Sequence, residues 1–189
     1  MSRRRRVIVN VIALQAGWFA CVLGAAWGLP WIGPAFVFLA IGIHLAASPQ
    51  RAGDARLIAM TMAIGLMIDS LLMRSGAIAF NSGVMAGWIA PAWMIALWAN
   101  FGTSLNLTLE FLQNRLFLAI LFGAVGGSLA YVGGVRLGAL LMPSGIPRGG
   151  MFVAIAWAIV TPLLVGAAAR GRRRPASCVM DRGDVEATA

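Results

Sequence analysis

The sequence predicts an all-α fold, a polytopic membrane helix bundle of six transmembrane helices. Three observations lead there. Across 189 residues the chain is 60% hydrophobic and 11% charged, with a mean hydropathy of +0.86, too apolar for a soluble domain of this size. Apolar runs long enough to cross a hydrocarbon core recur along it, separated by short turn-forming stretches. The basic residues, all 15 of them arginine, sit at the ends of these runs.

Residues 1–6 form a basic cap, and Val7–Gly28 reads as the first span, an uncleaved helix longer than a signal-peptide core. Asn10, Gly17, Cys21, Gly24 and Gly28 share one side of it, a small-residue seam where another helix can approach closely. Gln15 points the other way, so protein contact is expected on that side too. The second span is Trp31–Ala47, with Pro30 and Pro34 near its first turn, where missing amide donors cost least. His44, near its exit, is expected at the interface or hydrogen-bonded between helices.

Ser48–Arg56 reads as a polar loop and Leu57–Met73 as the third span. Asp69 shares a face there with Ile58, Thr61, Gly65 and Leu72 and should point into the bundle. Arg74–Gly87 is less apolar, a loop or a shallow re-entrant piece. The fourth span, Pro91–Arg115, carries Asn100, Thr103, Asn106 and Glu110 on one side. Met94, Trp98, Phe101, Leu105, Leu109 and Leu112 occupy the other, so the polar side should face helices and the apolar side lipid.

In the fifth span, Leu116–Val135, the residues Gly123, Gly127, Ala130, Gly134 and, just beyond it, Gly138 stack into a second close-packing seam. Arg136 closes it. The sixth span, Met151–Ala169, is interrupted by Thr161-Pro162, where proline frees a carbonyl that the threonine or a neighbour can compensate. A single transmembrane domain thus covers residues 7–169, and residues 170–189 form a polar tail too poor in apolar residues to fold. Alternating spans put Arg3–Arg6, Arg51, Arg56, Arg115, the arginines of 170–174 and Arg182 on one side, and Arg74, Arg136 and Arg148 on the other. Twelve against three places both termini in the cytoplasm.

The residues Gln15-Ala-Gly-Trp18-Phe-Ala-Cys21-Val, Pro91-x-Trp93-Met with Leu97-Trp98-x-x-Phe101 and Leu105-Asn106, and Tyr131-x-x-Gly134-x-Arg136-Leu-Gly138-Ala resemble those of a family of small bacterial inner-membrane proteins known only as a domain of unknown function. The resemblance runs from about residue 10 to 168. It implies a bacterial inner-membrane location and no activity, cofactor or catalytic residue. Leu107 stands where that family leads one to expect a histidine, and Gly127-Ser128 where it leads one to expect Gly-Pro.

The charge of +9 raises the question of nucleic acid, but the arginines flank apolar segments and no basic stripe with interleaved aromatics appears. Contact with anionic lipid headgroups explains it instead, so nucleic acid is not an expected partner. Cys21 lies inside a span and Cys178 in the tail, which excludes a disulfide between them, and one histidine with two cysteines offers no metal cluster. No cofactor is implied. Ionisable and amide groups inside apolar spans are candidates for function by default, here Asp69, Glu110, Arg136, Asn100, Asn106 and Gln15. Asp69 and Arg136 are expected at matching depth and able to pair, beside a cavity shared with Asn100. No catalytic set can be assembled from these groups. The expectation is a non-catalytic membrane protein that binds lipid, a membrane-protein partner or a second copy of itself. The alternatives are a small transporter or channel, and an enzyme on a lipid-soluble substrate.

Overall fold

The computed structural model describes residues 2–84 and 86–173. The helices are α1 (Arg3–Ala26), α2 (Ile32–Ala47), α3 (Arg51–Arg74), α4 (Ala92–Ser104), α5 (Leu116–Arg136) and α6 (Ile146–Arg173). Four of them, α1, α3, α5 and α6, are long and apolar enough to cross a bilayer. The expected six spans therefore divide into four helices of membrane length and two shorter ones. At 1.5 Å per residue, the 16 residues of α2 and 13 of α4 reach about 24 Å and about 20 Å.

The main correction concerns α4, which is not one membrane-length helix from Pro91 to Arg115. It stops at Ser104 and gives way to tight turns and a short 3-10 helix, Glu110–Leu112. Local polar groups end it. Thr103 and Ser104 hydroxyls bond back to the carbonyls of Asn100 and Phe101 at 2.7 and 2.6 Å, and the Gln113 amide donates to the freed carbonyl of Leu105 at 2.9 Å. Nor does α4 show an apolar side to lipid: Met94, Trp98, Leu105, Leu109 and Leu112 are all buried. It runs through the interior, packed on α1, α2 and α3, so the side expected toward lipid is turned to protein or to an internal groove.

Around α4 the helices alternate in direction. Arg3 at the start of α1 and Arg172 at the end of α6 both pair with Glu110, and Asp54 in the first turn of α3 meets His44 from α2 and Asn106 from beyond α4. These contacts gather one polar end of the bundle. At the other end Ala79–Phe80 (β1) pairs antiparallel with Leu140–Leu141 (β2), joining the α3–α4 and α5–α6 connections. The stretch expected as a loop or re-entrant piece is thus a loop carrying one short strand. Arg74 closes α3 rather than opening the loop, and the expected polar loop before α3 is mostly helix from Arg51.

Both small-residue seams lie at helix contacts except at their ends: Gly28, expected to close the first, lies in the turn beyond α1 at φ +75° with open space around it. A Cβ on Gly17 would come within 2.5 Å of the Asn100 side chain, and one on Gly33 of α2 within 2.3 Å of Cys21. On α5, Gly123 and Gly127 press against α6, where a Cβ would stand 2.4 Å from Thr161 Oγ1 and 2.3 Å from the Trp157 ring. Gly138 does something else: at φ +84° it caps α5, as the Ala139 amide bonds the carbonyl of Gly134 at 2.9 Å. Thr161 Oγ1, expected to compensate the carbonyl freed by Pro162, is buried with no hydrogen-bond partner among the described residues, and α6 continues through the proline. Arg170–Arg173 also continue α6 rather than joining the tail; residues 174–189, with Cys178 and Arg182, lie outside the described residues.

The outer surfaces of α1, α2, α3, α5 and α6 expose large apolar side chains, including Ile12, Leu39, Leu71, Phe117, Leu129 and Leu163. Such an apolar belt between two arginine-bearing ends suits a bilayer.

Candidate functional site

The α5–α6 hairpin docks onto α3 through α6, leaving a space between α1 and α5 floored by α4. This groove has a volume of about 470 Å³. Val11, Leu14, Trp18 and Val22 of α1 form one wall, and Phe122, Gly126, Ala130 and Tyr131 of α5 the other. Trp93, Leu97, Trp98 and Phe101 make the floor, with Trp157 of α6 behind. Trp18 reaches across to α5 beside Gly133, narrowing one end. Phe111, Phe122 and Gln15 at the rim are exposed, so the groove opens sideways onto the apolar belt.

Sequence periodicity explains the aromatic floor. Trp93, Leu97, Phe101 and Trp98 follow the three- and four-residue spacing of one helical stripe. Trp98 stacks on Trp157 with ring centroids 4.5 Å apart and planes 16° from parallel, and Phe101 meets Trp157 edge-on at 5.3 Å. Gly65 and Gly127 make room for these indoles, since a Cβ on Gly65 would come within 2.0 Å of Trp98.

Behind the floor lies Asp69, fully buried and pointing into the bundle as its face predicts. Its partners are aromatic. Trp98 Nε1 donates to Oδ2 at 2.7 Å, and the Tyr131 hydroxyl donates to Oδ1 and also lies 3.9 Å from Met94 Sδ. Two donors from apolar rings thus satisfy a carboxylate that would be costly in hydrocarbon if bare. The expected pair with Arg136 is absent. Arg136 is exposed at the end of α5 and takes no part in an ion pair among the described residues. The one tyrosine of the chain stands out in the sequence only as part of the family-like motif, although a hydroxyl on an apolar ring is the kind of donor a buried carboxylate needs.

The other candidates separate. Asn100 lines the groove while its amide donates to the carbonyl of Leu14 at 2.9 Å, tying α4 to α1. Gln15 stands at the groove rim, exposed and hydrogen-bonded to no described residue, so α1 is not contacted by protein on both sides as expected. Asn106 belongs to the polar end, donating to Asp54 Oδ1 at 2.9 Å. Glu110 is there too, paired with Arg3 and Arg172. Partial desolvation raises the Glu110 pKa, but the Arg172 and Arg3 guanidiniums outweigh it and hold the carboxyl below its ordinary value. His44 Nε2 lies 3.6 Å from Asp54 Oδ2, an interhelical contact as expected. Among the described residues no group of His, Cys, Asp and Glu could hold a metal ion.

A family model described as a protein of unknown function, DUF2878, matches residues 7–163. The chain belongs to that family. No curated protein and no solved structure matches it. The match spans every helix described, with α6 included up to Leu163, and so takes in both the groove and the Asp69 network of this DUF2878 chain. Leu107, in place of the expected histidine, sits half-buried in the polar turn between Asn106 and Thr108 and does not line the groove.

Proposed function

We propose that this DUF2878 protein is a six-pass bacterial inner-membrane protein, with both termini cytoplasmic, that binds a lipid-soluble ligand in the groove between α1 and α5 without transforming it. The groove itself carries this reading: an aromatic and aliphatic cavity of about 470 Å³, within the range of small-molecule sites, opening at the depth of the apolar belt. The favoured occupant is an acyl or isoprenoid chain rather than a partner helix. Aliphatic and aromatic walls with few free polar groups suit such a chain.

Few polar groups are free to do chemistry. Among the described residues Asp69 does not line the groove, and no histidine, thiol or carboxylate does. Tyr131 reaches the wall, but its hydroxyl is engaged by Asp69. Among the described residues that line the groove, Gln15 offers an unengaged amide at the rim, suited to an ester, carbonyl or hydroxyl near the end of a chain. The short α2 and α4 are compatible with six crossings. The turns that extend α4 are buried at Leu105, Leu109 and Leu112, and non-helical backbone at membrane depth is tolerated where protein covers it.

Native mass spectrometry of protein extracted in mild detergent tests the reading. Gly126 lines the groove and a Cβ there meets nothing closer than 4.0 Å, so Gly126→Phe should fill the space without parting helices. The wild type should carry an apolar ligand that Gly126→Phe lacks. A wild type free of ligand, with tryptophan quenching by brominated lipids identical in both proteins, would refute it.

A further inference from the structure

A second cavity lies on the far side of α5, at the polar end of the bundle. It has a volume of about 500 Å³ and runs between the start of α5 and the last turns of α6. Its walls are apolar, with Leu116 and Ala119 on α5 and Pro162, Leu163 and Gly166 on α6. Two arginines, Arg115 and Arg170, also line it. Neither has an ion-pair partner among the described residues, whereas Arg3 and Arg172 at the same end are occupied by Glu110. The backbone brings Arg115 here by an unusual turn: Asn114 takes a left-handed conformation at φ +67°, which Asn tolerates better than most residues.

We propose that this cavity is a binding site for one anionic phospholipid, whose phosphate lies between Arg115 and Arg170 and whose acyl chain fills the slot along Leu116 and Leu163. The occupant follows from charge and shape together. Two guanidiniums with no ion-pair partner among the described residues call for an anion that accepts several hydrogen bonds, as a phosphodiester does. Leu116 and Leu163 are 67% and 61% exposed, so the slot continues into the outer apolar belt, where a chain attached to that phosphate belongs. A free phosphate or nucleotide would satisfy the arginines and leave the apolar slot unused. This site shares no lining residue with the groove between α1 and α5, so the proposal stands independently of that reading.

The test uses delipidated full-length protein titrated in detergent with phosphatidylglycerol or phosphatidylcholine, bound lipid being counted by native mass spectrometry. The wild type should bind phosphatidylglycerol in preference. Arg115→Gln and Arg170→Gln, both at exposed positions, should each weaken that binding about fivefold and together about thirtyfold, at about 1 kcal/mol per arginine near an anionic lipid surface. Arg136→Gln, at the opposite end, should leave it unchanged. Leu163→Ser tests the slot separately from the charge, because Leu163 lines the slot and is exposed. It should reduce phosphatidylglycerol binding with both arginines intact. Equal affinity for the two lipids in the wild type would overturn the proposal. So would unchanged binding in Leu163→Ser, which would mean diffuse surface attraction, or full displacement by millimolar inorganic phosphate, which would mean a free-anion site.

Discussion

Replacing Asp69 by asparagine should be tolerated, and replacing it by leucine should not. The carboxylate accepts from two donors, Trp98 Nε1 and the Tyr131 hydroxyl. An indole N–H can only donate, but a phenol can donate or accept. Asparagine can therefore turn its carbonyl toward Trp98 and its amide toward Tyr131, which becomes the acceptor, and both hydrogen bonds survive. Asp69→Asn should thus cost less than about 1 kcal/mol. Leucine strands both donors. At about 1–3 kcal/mol for each unsatisfied buried group, or about 0.6 where the unfolded chain also finds partners in the membrane, the loss falls between about 1 and about 6 kcal/mol. Tyr131→Phe removes one of the two donors and should fall between these variants. Unfolding in mixtures of mild detergent and dodecyl sulfate, followed by tryptophan fluorescence, measures all three. If Asp69→Asn proved as damaging as Asp69→Leu, the negative charge itself would matter and the hydrogen-bond argument would fail. Equal tolerance of both would mean that the network adds no stability.

Gly127→Leu should lower folded yield in detergent, since even its Cβ would stand 2.3 Å from the Trp157 ring and overpacking of this kind costs at least about 1–3 kcal/mol. Leu118→Ile, half-buried beside the core, should be nearly silent, and equal yields would show that the α5–α6 contact tolerates separation. The Glu110 carboxyl, held below its ordinary value, contributes stability above that value and loses it as pH falls through the lowered one. The wild type should therefore lose thermal stability between about pH 5 and pH 3 more steeply than Glu110→Gln, most visibly at low salt, and parallel curves would remove the role assigned to the Arg3–Glu110–Arg172 cluster. Reporter fusions at residue 80 and at the C-terminus should report opposite sides of the membrane; finding both on one side would exclude six crossings.

The apolar runs made the helices legible to within a few residues where a run had a clear boundary. α2 begins just past Pro30 and ends at Ala47, and α5 occupies nearly the span read from Leu116 to Val135. The break in α4 was harder, because Thr103, Ser104 and Asn106 fit the helical period as a polar face while their hydrogen bonds end the helix instead. Periodicity records where a side chain would point if the helix continued and is silent on whether it does. Asp69 was legible as an inward carboxylate, but its partners were not. Depth and opposite charge favoured Arg136, whereas Trp98 falls on the apolar side of its helix, Tyr131 carries no charge, and both meet Asp69 from other helices. A cavity at Asn100 was expected, but not its walls: the groove exists because the α5–α6 hairpin docks onto α3 and stands apart from α1, and it is lined by neither Asp69 nor Arg136.

On the proposed six-pass reading, the brevity of α4 bears on how the chain enters the membrane. Thirteen residues carrying Asn100, Thr103 and Ser104 would partition poorly by themselves from a translocon, so this segment would be retained by neighbours already inserted. α1, α2 and α3 precede it and supply most of its contacts, among them the Leu14 carbonyl for Asn100. Its remaining cover, Tyr131 and Trp157, emerges from the ribosome only later. The 53 residues from Ser104 to Trp157 take roughly 3–10 s to synthesise at ordinary elongation rates. Until Tyr131 and Trp157 follow, Asp69 and Trp98 have each other but lack the later half of their shell.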